Sequence, residues 1–324
     1  MTNKSTKNGK AFEYSCIIAL QELILPLRPV KIIQNNSFKV AEANWCSMDK
    51  EQQKNYAIAA KKGVETIITM EPKICEKSAE QLELLIQSDE QGKIGDVRDV
   101  LIIRKLSAWE IGISIKHNHE AVKHSRLSMK LDFANKWFGL NCSIAYFDEI
   151  KPVFENLNEL KVKKTYWRDI QNKSENVYKP ILMAFMREIK RQFEVNGSIV
   201  PSKMTQYLIG THDYYKLISN PKKQQTRLMV FNLYGSLNQT LATETLNSKI
   251  KLPTRIISLE MKPDSENTIE LYMNNGWAIS FRIHSAESLV VPSLKFDVQL
   301  MGVPAGIYTF DIPWLDEKLE IIAE

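Results

Sequence analysis

The chain has 324 residues, 44% apolar and 25% charged, an ordinary globular composition with length for one large domain or two smaller ones. Its 43 Lys+Arg against 38 Asp+Glu leave a net charge of +5, a mild basic bias that admits a polyanionic partner without establishing one. These values exclude disordered and fibrous classes, and no apolar run approaches the length of a membrane span.

After a polar start, Phe12, Cys16, Ile17, Leu20 and Ile24 recur at helical spacing, and Pro26 and Pro29 end that helix. The apolar run CIIAL inside it is too short, and too soon interrupted by Gln21 and Glu22, for a signal peptide. A cytoplasmic protein is therefore expected. Cys16, Cys46, Cys75 and Cys142 have no metal-ligand spacing, and with three of them in apolar or helical surroundings they read as reduced core thiols. A short β segment (VKIIQ) follows, then a helix from about Asp49 to Met70 with Ser47 or Asp49 as its cap, and a second helix from about Lys77 to Gln87.

The stretch GDVRDVLIIRKLSAWEIGISIKHN predicts a β-hairpin, with arms at about Val97 to Arg104 and Trp109 to Lys116 and a turn at Lys105 to Ala108. From Asp132 to Gly197 the pattern is helical, in LDFANKWFG, FDEIKPVFENL and PILMAFMREIKRQFEV, and another helix follows Pro201. Beyond Asn220 the pattern turns to alternating strands, with Asn-Gly marking a hairpin in TIELYMNNGWAISFRIH and SLKFDVQL adding another strand. The expected architecture is an α/β part over residues 1–220, its mixed sheet flanked by helices, and an antiparallel β-rich region over 221–324.

A turn centred near Leu106 sets Asp99 opposite or diagonal to Ser114, with Lys116 one pleat further on. An acid and a lysine on adjoining strands, with an acid from a preceding helix, suit phosphodiester hydrolysis. Carboxylates hold Mg²⁺ through hard oxygens, the metal polarises the phosphate, and the lysine offsets charge that develops there. That is the logic of the PD-(D/E)xK nuclease hairpin. Ser114 stands where the motif has its second acid, so the missing charge falls to Glu13 on the first helix or to Glu110 on the same strand face. Glu110 lies two pleats away, about 13 Å along the strand, which favours Glu13 for the metal. The backbone carbonyl of Ile115 is a further oxygen ligand, and Asp96 is a rival to Asp99. By default the same residues are a solvent-facing hairpin, with Glu13 on a polar helix face.

Lys116, Lys123, Arg126 and Lys130 cluster with Glu120 as the sole acid among residues 116–130, and Ser125 and Ser128 add neutral donors for phosphate oxygens. His117, Asn118, His119 and His124 belong to the same candidate DNA-binding run. The adjacent letters HNH are not the HNH nuclease motif, whose residues are spread over a hairpin and a helix. A zinc site built from His117, His119 and His124 is equally disfavoured. In the β-rich part Ser280, Arg282 and His284 share one strand face, and Lys295, Asp297 and Gln299 another, as solvent-facing or DNA-contacting residues.

GKAFEY, EIGISIKHNHEAVKHSRLS, DFANKWFG and GWAISFRIHSAESLVVPSLKFD resemble, in the expected order, segments of the HaeIII family of type II restriction endonucleases. The resemblance runs from Gly9 to about Pro304. It implies a restriction-endonuclease-like core, Mg²⁺-dependent cleavage of double-stranded DNA, and GGCC as target, cut in its centre to blunt ends. It also implies a cognate methyltransferase for the same site. A palindromic target in turn favours a homodimer. Asp99 as metal ligand, Lys116 as catalytic lysine and Glu13 as the completing acid follow residue by residue, and Ser114 departs from the pattern. A non-catalytic DNA- or RNA-binding protein using the same basic surface is the alternative.

Overall fold

The computed structural model describes residues 4–88, 90, 95–118, 124–237, 249–302 and 304–315. In chain order the elements are α1 (Lys4–Ile24), β1 (Val30–Ile32), α2 (Asn36–Cys46), α3 (Lys50–Met70), β2 (Leu82–Ile86), β3 (Val100–Arg104) and β4 (Trp109–His117). Then come β5 (His124–Leu127), α4 (Phe133–Phe138), α5 (Ile144–Val162), α6 (Lys179–Asn196), α7 (Ile199–Ile209), β6 (Tyr214–Asn220) and β7 (Gln225–Phe231). The last are β8 (Ile256–Met261), β9 (Thr268–Met273), β10 (Ala278–His284), β11 (Leu294–Leu300) and β12 (Tyr308–Pro313). No helix among the described residues is long and apolar enough to cross a membrane.

Two compact units result, and neither is continuous in sequence. The first takes residues 1–119, 211–250 and 306–324, the second 120–210 and 251–305. A single division near residue 220 does not describe this arrangement, because β7 and β12 lie in the first unit with β1 to β4 and β6.

The first unit is built on a mixed seven-stranded sheet ordered β1-β2-β3-β4-β6-β7-β12. The β3–β4 hairpin stands inside it, and β4 pairs in parallel with β6, which arrives almost a hundred residues later. One face of the sheet, carrying Ile111, Ile113, Ile115 and Leu217, is covered by α1 and α3. Phe12, Cys16, Ile17, Leu20 and Ile24 are the buried stripe of α1, as their spacing predicts. Asp49 caps α3 by accepting the Gln52 N–H at 2.8 Å. Gly63 lets that helix lie close on the sheet, since a Cβ there would stand 2.1 Å from Leu217 Cδ1.

Two elements here differ from the sequence reading. The helix expected from about Lys77 to Gln87 is absent, and residues 82–86 form a strand instead, with Leu82, Leu84 and Ile86 buried and Glu83 and Leu85 less so. Their two-residue alternation prevails over the helical propensity of Glu and Leu because β1 and β3 offer hydrogen-bonding edges on both sides. The second is α2, capped by Asn35 accepting from the Phe38 N–H, which the sequence reading passed over. Of the four cysteines only Cys16 is buried, whereas Cys46 is exposed.

The second unit holds the antiparallel sheet β5-β11-β10-β9-β8 with α4 to α7. Phe133, Trp137, Phe185, Phe281 and Phe296 form its aromatic core, their ring centroids 4.6–6.4 Å apart. Asn275 and Gly276, both at positive φ, make the tight β9–β10 turn that Asn-Gly predicts.

Candidate active site and nucleic-acid interface

The hairpin register brings the central residues together. Val100 stands opposite Ile113, and the Asp99 N–H donates to the Ile113 carbonyl at 2.8 Å, so Asp99 lies opposite Ser114. Three donors then converge on Asp99 Oδ2. They are the Ile115 N–H at 2.6 Å, Lys116 Nζ at 2.9 Å and the Ser114 hydroxyl at 3.4 Å. None of these three bonds engages Asp99 Oδ1.

Glu13 enters from α1, 5% exposed, with Lys10 Nζ 3.1 Å from its carboxylate. Burial raises its pKa to about 8; the negative charge of Asp99 adds to the shift, while Lys10 and Lys116 oppose it. Glu13, Asp99, Lys10 and Lys116 therefore share one electrostatic neighbourhood. Buried Glu13, partly exposed Asp99 and the Ile115 carbonyl offer oxygen donors of the hard type that could hold a divalent cation. Among the described residues no cluster of three or more His, Cys, Asp or Glu side chains stands ready as a metal cage.

The other two acids considered from sequence go elsewhere. Asp96 holds Arg98 through both oxygens, at 2.8 and 2.7 Å, and Glu110 accepts from the same guanidinium at 2.9 Å. Burial works against ionising Asp96, but the hydrogen bonds from Arg98 and Gln87 prevail and hold its pKa below the ordinary carboxylate value. Arg98 lies over Gly112, where a Cβ would come 2.2 Å from its Cδ. Glu110 and Asp96 are therefore partners of a structural arginine. The sequence reading missed Arg98, although its place between an acid two residues back and one on the facing strand was a signal.

The basic run is only partly as expected. His119 and Lys123 lie outside the described residues, and His124 is the first residue of β5. His117 does not project freely. Its ring packs edge-on against Tyr56 at 5.1 Å, its Nε2 meets Asn118 Nδ2 at 2.9 Å, and burial lowers its pKa. Asn118, at a φ of 58°, donates its N–H to the Ser219 carbonyl at 3.0 Å and continues the β4–β6 pairing. Ser125 is 4% exposed, which removes it from the surface donors.

Strand register in the second unit makes a feature that no local window contains. Arg126 pairs with Lys295, and Lys295 with His284, so three cationic or titratable side chains form one row across β5, β11 and β10. Arg126 is exposed and reaches Ser293 Oγ at 3.2 Å, while His284 Nδ1 lies 2.8 Å from the Ser285 carbonyl. Arg282, on the same face, is paired with Asp297 at 3.0 Å, which offsets part of its charge.

A mixed sheet carrying an acid–lysine hairpin, with a helix acid beside it, defines the restriction-endonuclease-like fold class. The family model described as HaeIII restriction endonuclease matches residues 9–304. The Type II restriction enzyme HaeIII of Haemophilus aegyptius is 44% identical over 317 residues, covering 97% of this chain and 99% of that protein. No solved structure matches the chain. The chain belongs to the HaeIII restriction endonuclease family, and with it to the type II restriction endonucleases, site-specific deoxyribonucleases whose partner is DNA.

Proposed function

We propose that this endonuclease cuts both strands of duplex DNA in the centre of GGCC, leaving blunt ends with 5′-phosphates, and that its metal is Mg²⁺. The observation that carries the catalytic assignment is the convergence of Ile115 N–H, Lys116 Nζ and Ser114 Oγ on Asp99 Oδ2, with Glu13 in the same electrostatic neighbourhood.

Asp99, Glu13 and the Ile115 carbonyl are the proposed metal ligands. When bound, Mg²⁺ supplies a Lewis acid that offsets charge on the phosphate and makes water a stronger nucleophile. Lys116 keeps its proton and orients the attacking water while its ammonium meets charge developing on the phosphate. Water oxygen bonds to phosphorus and gives up a proton to solvent, the P–O3′ bond breaks, and the departing 3′ oxygen takes a proton from solvent. Ser114 steadies Asp99 and contributes no charge. Glu110, held by Arg98, keeps the hairpin in shape.

For DNA contacts, the row Arg126, Lys295 and His284 is favoured by its exposure and sign, with His117, Asn118, His119, Lys123 and His124 as further candidates and Arg282 less so because of Asp297. Cleavage is assigned to the first unit and backbone contact to the sheet of the second. A palindromic target suits a twofold homodimer whose subunits each take one half-site. The protein acts in the cytoplasm, where a cognate methyltransferase protects the same site without having to touch it.

Digestion of long duplex DNA with Mg²⁺ and with chelator, followed by sequencing of fragment ends, tests this reading. Discrete Mg²⁺-dependent fragments ending in GG and CC are expected. Ends at another sequence would replace the target, and intact DNA from folded protein would overturn the catalytic assignment.

A further inference from the structure

The last turn of α5 and the segment after it form a second basic cluster, outside the candidate site. Residues 161–173 carry Lys161, Lys163, Lys164, Arg168 and Lys173, with Asp169 as the one acid of that stretch. The first four of these cations are exposed. Lysines in a last helical turn commonly do no more than complement the helix dipole, so their number alone points to no ligand.

The backbone at Lys164 is less ordinary. Its N–H donates to the Lys161 carbonyl and the Thr165 N–H to the Leu160 carbonyl, both at 3.0 Å, the paired bonds of a Schellman helix end. Lys164 thereby takes a φ of 55°, a left-handed position that suits glycine and that Gly139 occupies at the end of α4. A lysine held at positive φ bears strain that glycine would avoid, and such strain collects where a side chain is kept for what it binds.

The loop of residues 285–293, between β10 and β11, joins this segment to the cationic row. The Trp167 N–H donates to the Ser288 carbonyl and the Val290 N–H to the Thr165 carbonyl, each at 2.9 Å, and Tyr166 bridges to Leu289. The same loop receives Arg126 at Ser293 Oγ and His284 at the Ser285 carbonyl. The basic segment is thus tied to the end of the sheet where Arg126, Lys295 and His284 stand in register. Arg168 is steadied there by the exposed Tyr166, its guanidinium 5.0 Å from the ring centre, while its 3.6 Å contact with exposed Asp169 is weakened by water.

We propose that Lys163, Lys164 and Arg168 form a second phosphate-contacting surface, which holds the backbone of duplex DNA beside the row and without regard to base sequence. The inference rests on the assignment of backbone contact to the sheet of the second unit. Charge complementarity names the occupant, since duplex DNA presents one negative charge about every 1.7 Å of its axis and is the partner of this family. Ammonium and guanidinium groups on phosphates displace counterions and read no base.

The test uses the full-length enzyme in chelator, with binding to a target duplex and to a duplex lacking the target measured across a range of salt. Lys164→Gly separates the two roles of that residue. Glycine relieves the strain, so the variant should melt no lower than the parent, yet its salt slope should fall by about one contact on both duplexes. A triple variant, Lys163→Ala with Lys164→Gly and Arg168→Ala, should lose about three contacts, equally on both. Lys164→Gly decides the matter if the triple variant does not fold. An unchanged salt slope in either folded variant, whatever its melting temperature, or a loss confined to the target duplex, would overturn the proposal. The row would keep its assignment if Arg126→Ala with Lys295→Ala still lost about two contacts. Unchanged slopes in all three variants would overturn both.

Discussion

Replacing Lys116 with alanine separates the two things this side chain does. In the structure its ammonium bonds Asp99 Oδ2 at 2.9 Å, and both side chains are 24% exposed. A pair open to water to that extent contributes about 1 kcal/mol or less to stability. Asp99 also retains the Ile115 N–H at 2.6 Å, so its position does not depend on the lysine. Lys116→Ala is therefore expected to fold, with a melting temperature within about 2 °C of the parent. Catalysis should respond quite differently. Removing one preorganised donor from a site of charge development costs about 2.7–4 kcal/mol, a loss of about 10²–10³ in rate. The loss belongs to the transition state, so binding of the target duplex in chelator should survive with at most one phosphate contact missing. The assay is single-turnover cleavage of a one-site duplex with enzyme in excess, run beside a metal-free binding titration. A rate within threefold of the parent, from protein with an unchanged melting curve, would refute the assignment of Lys116.

Three further outcomes follow from the geometry. Gly63→Ala would ordinarily strengthen a helix by about 1 kcal/mol, but its Cβ would stand 2.1 Å from Leu217 Cδ1 in a closed core, and overpacking costs about 1–3 kcal/mol. A net loss in thermal melting is expected, and a gain would mean that α3 and β6 are not so closely packed. Asp96→Ala leaves buried Arg98 with only the half-exposed Glu110, so unfolding should become easier by about 3 kcal/mol in denaturant titration. Because the folded pKa of Asp96 lies below its unfolded value, its contribution is fully present above the ordinary carboxylate range and is lost as pH falls from that range through the lower folded value. The gap between parent and Asp96→Ala should therefore narrow in acid and stay constant near neutrality. Alanine at Arg126 and Lys295 together should weaken binding to all duplexes alike and lower the salt slope by about two contacts. A loss confined to the target sequence would instead make these residues base readers.

Local pattern carried the reading furthest where contiguous residues decide the geometry. The four-residue turn after Arg104 sets the pairing of β3 with β4, because a hairpin register is determined by its turn, and Asp99 opposite Ser114 follows directly. The apolar spacing in α1 determines which side of that helix is buried, and Asn-Gly determines the β9–β10 turn, since both are properties of neighbouring peptide units. Family membership was legible for a similar reason: GKAFEY and EIGISIKHNHEAVKHSRLS are uninterrupted strings.

What the tertiary structure decided lies between segments remote in sequence. The stretch 82–86 became a strand because β1 and β3 stood ready on either side, a choice that its own Leu/Glu composition does not make. Asp96, a rival to Asp99 from its position in the sequence, and Glu110 both pair with Arg98, a meeting that only the folded hairpin makes. Arg126, Lys295 and His284 met only through the pairing of β5, β11 and β10, and Lys216 came to pair with Ser114 only because β6 inserts beside β4. Closing loops of that length costs nearly the same for many alternative partners, so no local window determines the outcome. It is the joint burial of whole faces, available only once the chain has folded, that selects which strands lie side by side.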